Sequence, residues 1–282
     1  MFNPVLQERV RTGPHRMPST PLIAYACVGK IFAGGRGAER VVAVDDVSLD
    51  VADGEFLAIV GGSGSGKTTL LRLANRLIEA DFGSITVEGE DVRHVDPILL
   101  RRRIGYVFQS GGLFPHLSIA DNIGITPKLL GWPAAEISAR VDELLDLVRL
   151  DRALYRDRLP HELSGGQRQR VGVARALAAK PRIVLMDEPF GALDPLTRDA
   201  LGEDFRGLHR KLGLTTVMIT HDMTEAILLA DRVAVMREGR LLALGTPAEL
   251  ADSGDPYVGE LLGTPRRQAE RLGRLLPRDG AA

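Results

Sequence analysis

The octapeptide Gly61-Gly62-Ser63-Gly64-Ser65-Gly66-Lys67-Thr68 constrains this chain more than any other stretch. It fits the pattern G-x-x-x-x-G-K-[ST], a loop that holds phosphate. Glycines let the backbone curl so that successive N–H groups point at one anion. A helix starting where the loop ends adds free donors and partial positive charge. Lys67 supplies a compact cation for β- and γ-phosphates. Thr68 offers a hydroxyl to Mg2+, and Thr69 carries the cradle into the helix. Such a loop needs a strand before it and a helix after it. Phe56-Leu57-Ala58-Ile59-Val60 reads as a buried parallel strand and Leu70-Leu71-Arg72-Leu73-Ala74-Asn75 as a helix. The plain alternative, a chance Gly/Ser turn, leaves that order unexplained. An α/β fold around a parallel sheet is therefore expected.

With 282 residues, 44% hydrophobic and 26% charged, the chain has an ordinary globular balance and room for one large α/β domain or two small ones. A net charge of −1 provides no global basic field for nucleic acid. The single cysteine, Cys27, allows no intrachain disulfide and fits a reducing compartment. No run reaches the roughly 18 apolar residues a membrane span requires. Residues 1–20 hold Arg and Pro but no apolar core, so they read as a disordered extension rather than a secretory signal. Met17 is an alternative start.

Short strands are expected at Leu22–Ala26, at Ala43–Val51, where apolar and polar residues alternate, and at Ser84–Glu90. Ala33-Gly34-Gly35-Arg36-Gly37 reads as a turn. Residues 126–150 read as helical, with Ile137, Val141, Leu144, Leu145 and Val148 on one face. Arg182–Asp187 and Thr215–Thr220 are near-continuous apolar strands, as in a sheet covered on both faces. Arg232–Met236 is expected to close the core. The Arg-rich tail from about Pro265 reads as a short helix or disorder.

Two further motifs carry chemistry. The strand ending in Asp187-Glu188 delivers two carboxylates at its C-terminal end, where α/β ligand sites lie. Asp187 suits Mg2+ held through water, and Glu188 suits polarisation of an attacking water. Alone, such a pair is more simply a solvated strand end; beside a phosphate loop the chemical reading is favoured. Leu163-Ser164-Gly165-Gly166-Gln167 precedes a second helix, with Ser164 as its cap and glycines exposing backbone donors. One chain cannot easily aim both anion sites at a single nucleotide, whereas two chains placed head to tail can.

With these three motifs in order, the chain resembles the ATP-binding subunits of ABC transporters over about Leu22–Leu250. The resemblance implies a P-loop NTPase (RecA-like) parallel-sheet core with an antiparallel β subdomain and an α-helical subdomain at about 110–180. It places the cassette at 21–251 and a tail at 252–282. It also implies a homodimer in which each ATP lies between one phosphate loop and the partner's Ser164, Gly165, Gly166 and Gln167. Gln109 matches the loop glutamine that contacts Mg2+ and water and senses the membrane partner. Asp194, in Gly191-Ala192-Leu193-Asp194, matches the loop crossing the dimer interface. His221 matches the switch histidine at the γ-phosphate, the alternative being a lone capping histidine. Phe32 falls where the family places an adenine-stacking aromatic, with Tyr25 close by and a core role as the competing reading. Lys67, Glu188 and His221 are the implied catalytic set; Thr68, Gln109 and Asp187 are the implied metal set.

Ala74–Glu79, Leu100–Val107, Pro127-Lys128-Leu129-Leu130-Gly131-Trp132 and Phe190–Pro195 resemble importers of glycine betaine, choline, carnitine and proline, the quaternary amine uptake family. The implied partners are transmembrane permease subunits and a periplasmic or extracellular solute-binding protein. The implied place is the cytoplasmic face of the cell membrane. Larger members carry C-terminal CBS modules; this chain stops at Ala282, so a short form is expected. The alternatives are an importer ATPase for polyamine, methionine or taurine and a soluble ABC ATPase acting on nucleic acid. The latter lacks support because no long coiled coil and no second cassette is present. Arg101-Arg102-Arg103 reads as a solvated helix end, Trp132 as core or partner contact, and His116 and His161 have no zinc spacing with Cys27.

Overall fold

The computed structural model describes residues 20–33, 40–109 and 111–275; the expected extension, most of the turn after Ala33 and the last tail residues lie outside them. The chain opens with β1 (Ile23–Phe32) and β2 (Val41–Val51), an antiparallel pair in which Val47, Leu49 and Val51 are buried at alternate positions. Next come β3 (Phe56–Val60), buried throughout, the phosphate loop and α1 (Lys67–Ala74). β4 (Phe82–Val87) and β5 (Glu90–Asp91) are joined at Glu88-Gly89, both with positive φ, the conformation of a tight hairpin turn. α2 (Pro97–Arg103) begins at Asp96, whose carboxylate accepts from the N–H groups of Ile98 and Leu99, with Pro97 in the first turn. β6 (Ile104–Val107) follows.

The helical block holds α3 (Ile119–Leu129), α4 (Ala134–Leu147), α5 (Arg152–Tyr155), the short 3-10 turn Pro160–Glu162, and α6 (Gly165–Leu177). It starts earlier than the periodicity from residue 126 implied. Ser118 caps α3 by accepting from Asp121 N–H, and Ile119 and Ile123 are fully buried, while Gly124 and Pro127 obscure the pattern. The apolar face expected on α4 is present: Val141, Leu144, Leu145 and the following Val148 are buried.

The rest comprises β7 (Ile183–Asp187), α7 (Pro195–Leu212), β8 (Thr215–Thr220), α8 (Met223–Leu229), β9 (Arg232–Arg237), β10 (Arg240–Gly245), α9 (Pro247–Ala251) and α10 (Pro256–Leu275). One sheet has the order β10-β9-β3-β8-β7-β6, parallel except for β10 against β9. β9 therefore does not close the core. The edge strand β10 hides in the sequence because Leu241–Leu244 are only half-buried and show no alternation. The second sheet is antiparallel, β2-β1-β4-β5.

β3 shows how the layers form. Phe56, Ala58 and Val60 face the core shared with the helices, whereas Leu57 and Ile59 face the core shared with the antiparallel sheet. Period-two alternation thus lets one apolar strand serve two cores, which is why its sequence is continuously apolar. Phe56 meets Phe205 of α7 edge-on at 5.9 Å, a geometry worth about 0.5–1.5 kcal/mol beyond area burial. α10 was not legible beyond a short helix, because Gly259, Gly263, Pro265 and Gly273 punctuate it. Fully buried Val258 anchors its first turn to the helix-side core.

Candidate active site

The phosphate loop leaves the C-terminal end of β3 with Gly61, Gly64 and Gly66 at φ of 155°, 75° and 95°. Gly66 is both left-handed and crowded: a Cβ there would sit 2.1 Å from the Ala43 carbonyl oxygen on β2. The glycine thus lets the antiparallel sheet abut the loop. Gly66→Ala is expected to cost roughly 1–2 kcal/mol from the backbone alone, hence about 2–8 °C in thermal midpoint, and to abolish ATP binding. A melting scan with an ATP titration checks this; retained binding would contradict the close approach.

Lys67 lies inside the loop it serves. Its ammonium donates to the carbonyls of Gly61 at 2.9 Å and Gly62 at 2.8 Å and to Ser65 Oγ at 3.3 Å. Burial holds the ammonium below the usual lysine range, opposed by the nearby carboxylates of Glu188 and Asp187. The Coulomb attraction and the carbonyl dipoles favour the charged form, so the cation is held in place before any phosphate arrives.

Asp187, at the end of β7, is buried. One carboxylate oxygen accepts from Thr68 Oγ1 at 3.1 Å; the other accepts from the Tyr106 hydroxyl at 3.2 Å and pairs with Arg72 at 3.3 Å. Two hard oxygen donors, Thr68 Oγ1 and an Asp187 carboxylate, therefore stand side by side at the helix N-terminus, a donor set that fits Mg2+. Glu188 takes a left-handed φ of 46°. That uncommon backbone turns the carboxylate out of the strand line. Its Oε2 accepts from Gln109 Nε2 at 3.0 Å and lies 3.5 Å from His221 Nδ1. Thus Lys67, Thr68, Asp187, Glu188, Gln109 and His221 converge at adjoining ends of β3, β7, β6 and β8.

Ser164, Gly165, Gly166 and Gln167 are not in that group. Ser164 Oγ accepts from Gln167 N–H at 3.2 Å, Gln167 Oε1 accepts from Ser164 N–H at 2.9 Å, and Gln167 Nε2 donates to the Tyr155 hydroxyl at 2.8 Å. This reciprocal capping box fixes the start of α6 and leaves Ser164 and Gly165 exposed. Gly166 faces Thr197: a Cβ would lie 2.6 Å from its methyl group. Asp194 caps α7 by accepting from Thr197 N–H at 3.0 Å. Asp194 therefore neighbours its own chain's signature, and among the described residues no hydrogen bond joins that group to the phosphate loop. Phe32 is 40% exposed at the end of β1, cross-strand from Val41 and close to the β2 residues that abut Gly66. Tyr25 is buried and donates to the Leu70 carbonyl, so it is a core residue rather than a platform.

Residues 44–191 match the sequence profile of the ABC transporter family. The chain belongs to that family. It is 51% identical over 240 residues to the glycine betaine/carnitine/choline transport ATP-binding protein OpuCA of Bacillus subtilis (strain 168), covering 85% of this chain and 62% of that protein. It is 50% identical over 243 residues to the glycine betaine uptake system ATP-binding protein YehX of Escherichia coli (strain K12), covering 86% of this chain and 77% of that one. The chain spans about three-fifths of the length of the first curated relatives it matches. Among solved structures it is similar to the dimeric ATP-binding cassette MJ0796 bound to ADP and Pi, with TM-score 0.72, 31% identity and coverage of 79% of this chain and 98% of that one. The α/β fold is accordingly that of an ABC cassette.

Three side chains of the cassette site were not singled out from sequence. Arg72 sits four residues after Thr68, one helical turn on, and that spacing was the available signal. Tyr106 lies on β6, and neither its strand nor its spacing pointed to Asp187 on the adjacent strand. Glu225 on α8 lies near His221, and burial pushes its carboxyl up to about 7. Arg101, in contrast, donates to the Asn75 carbonyl at 3.3 Å, a structural role for the basic run.

Proposed function

We propose that this chain is the ATP-hydrolysing subunit of an ABC importer, and that two copies enclose two ATP molecules head to tail. The observation carrying this reading is the separation of the two anion-binding groups within one chain. The phosphate loop with its carboxylates forms half a site, and the exposed start of α6 with Asp194 forms the complementary half. A second copy supplies the missing half to each.

In this reading Lys67 and the loop N–H groups bind the β- and γ-phosphates, and Phe32 stacks on the adenine. Thr68 and Asp187, with Gln109, would hold Mg2+, which would supply positive charge to offset that of the phosphates. Glu188 accepts the proton of the attacking water, and His221 and Lys67 stabilise the transferring phosphoryl group. The partner's Ser164 and α6 N-terminus neutralise the γ-phosphate from the other side. Loss of that phosphate removes what joins the copies, and they part.

A groove of about 340 Å3 beside Gln109 supports the coupling to a permease. Phe108 and Phe114, each 42% exposed, and Leu129 line it with Arg101 and Arg102. Apolar surface rimmed by charge suits a cytoplasmic segment of a membrane protein. The cargo class is an osmoprotectant such as glycine betaine, choline, carnitine or proline, delivered by an external solute-binding protein. Support comes from relatives whose names carry glycine betaine, carnitine and choline. The chain then works at the cytoplasmic face of the membrane, with no nucleic acid partner. Deleting it in the host, with redundant transporters removed, is expected to cut uptake of at least one labelled member of that set. Unchanged uptake of all four at low and high salt would overturn the cargo.

A further inference from the structure

The first turn of α10 reaches the phosphate loop. Gly62 N–H donates to the Tyr257 hydroxyl oxygen at 3.0 Å. The same peptide unit carries the Gly61 carbonyl, which accepts from Lys67 Nζ at 2.9 Å, and the next carbonyl, Gly62, accepts from Lys67 at 2.8 Å. A single planar amide therefore links Tyr257 on one edge to Lys67 on the other. Rotating that amide to free its N–H would also swing its carbonyl away from the ammonium. Hydrogen bonds in series through one amide also polarise one another.

Tyr257 is itself held from three sides. Asp255 accepts from the N–H groups of Tyr257 at 2.8 Å and Val258 at 3.1 Å, capping the turn. Val258 is fully buried in the core. The Arg237 guanidinium lies 5.0 Å from the Tyr257 ring centroid. A hydroxyl so supported is a fixed point, whereas the loop it meets is glycine-rich and would otherwise sample other peptide orientations.

We propose that Tyr257 is a positioning residue for nucleotide binding, orienting the Gly61–Gly62 peptide and through it the Lys67 ammonium. This rests on the phosphate-loop reading above. It makes the segment after residue 252 part of the nucleotide site rather than an appendage. It also means that displacement of α10 is felt at Lys67 without any change in the residues that touch ATP.

The test is Tyr257→Phe in the full chain, which keeps the ring and removes the oxygen. Calorimetric titration with ATP and Mg2+ is expected to give a Kd about three- to tenfold higher, the range of one neutral hydrogen bond. The ammonium nitrogen resonance of Lys67 is expected to shift, and hydrogen exchange at the Gly62 amide to accelerate. The melting temperature without nucleotide should fall by no more than about 1–6 °C, the cost of that one hydrogen bond. An unchanged Kd overturns the proposal, as does a Kd that rises only together with a lowered melting temperature and an unmoved Lys67 resonance. Lys67→Ala run in parallel separates the two readings. If it binds ATP normally, the phosphate-loop reading fails; if it binds weakly while Tyr257→Phe binds normally, only the positioning role fails.

Discussion

Glu188→Gln is expected to slow ATP hydrolysis by about 100- to 10,000-fold, the span a positioned general base supplies, while ATP still joins two copies. The geometry separates the two effects. Among the described residues Lys67 bonds Gly61, Gly62 and Ser65 and Thr68 bonds Asp187, with no hydrogen bond from either to Glu188, so these phosphate-loop contacts survive its replacement. Its left-handed backbone and the convergence of Gln109 and His221 on one of its carboxylate oxygens are the observations that support the proposed role as base. An amide there keeps the shape but accepts no proton. Phosphate release measures the rate, and size-exclusion chromatography with ATP measures the pairing. Hydrolysis within a few-fold of the parent would remove Glu188 as the base. A variant that never pairs in ATP would sink the head-to-tail arrangement.

Lys67→Ala is expected to act earlier, on binding itself. Charge-assisted hydrogen bonds are worth about 1.5–3 kcal/mol, so ATP affinity should fall roughly 10- to 150-fold. The loss has two parts. The phosphate loses its cation, and the carbonyls of Gly61 and Gly62 lose the ammonium that holds them inward. Because burial holds this ammonium below the usual lysine range, desolvation is already met in the folded protein, and the phosphate gains a cation with few competing waters. Equilibrium titration checks the fold-change, with melting temperature as the control for loop collapse. Unchanged affinity would count against the loop as the nucleotide site.

Local chemistry was legible wherever a short segment carries its own reason. The octapeptide names its backbone geometry through its glycines, and β3 and β8 have the limits their apolar runs imply. Ser164 forms the cap expected of it, and Gln167 closes it reciprocally, because a capping box is complete within four residues. The expectations failed where a segment depends on something distant. β10 is an edge strand with half-buried residues, visible only because β9 lies beside it. α10 crosses four breakers and is anchored by the burial of Val258 and the contact of Tyr257 with Gly62.

By itself, the sequence determined the glycine-rich loop between β3 and α1, the carboxylate pair at the end of β7 and the capped start of α6, since each rests on bond rotations and charges within a few residues. Only the tertiary structure decided which of these share a site. It brought Gln109 and His221 to Glu188, set Arg72 and Tyr106 on Asp187, and kept Gly166 against Thr197, the residue whose N–H Asp194 caps. Those pairings span tens of residues in the chain. They follow from strand order and helix packing, where burial of apolar surface outweighs any local preference.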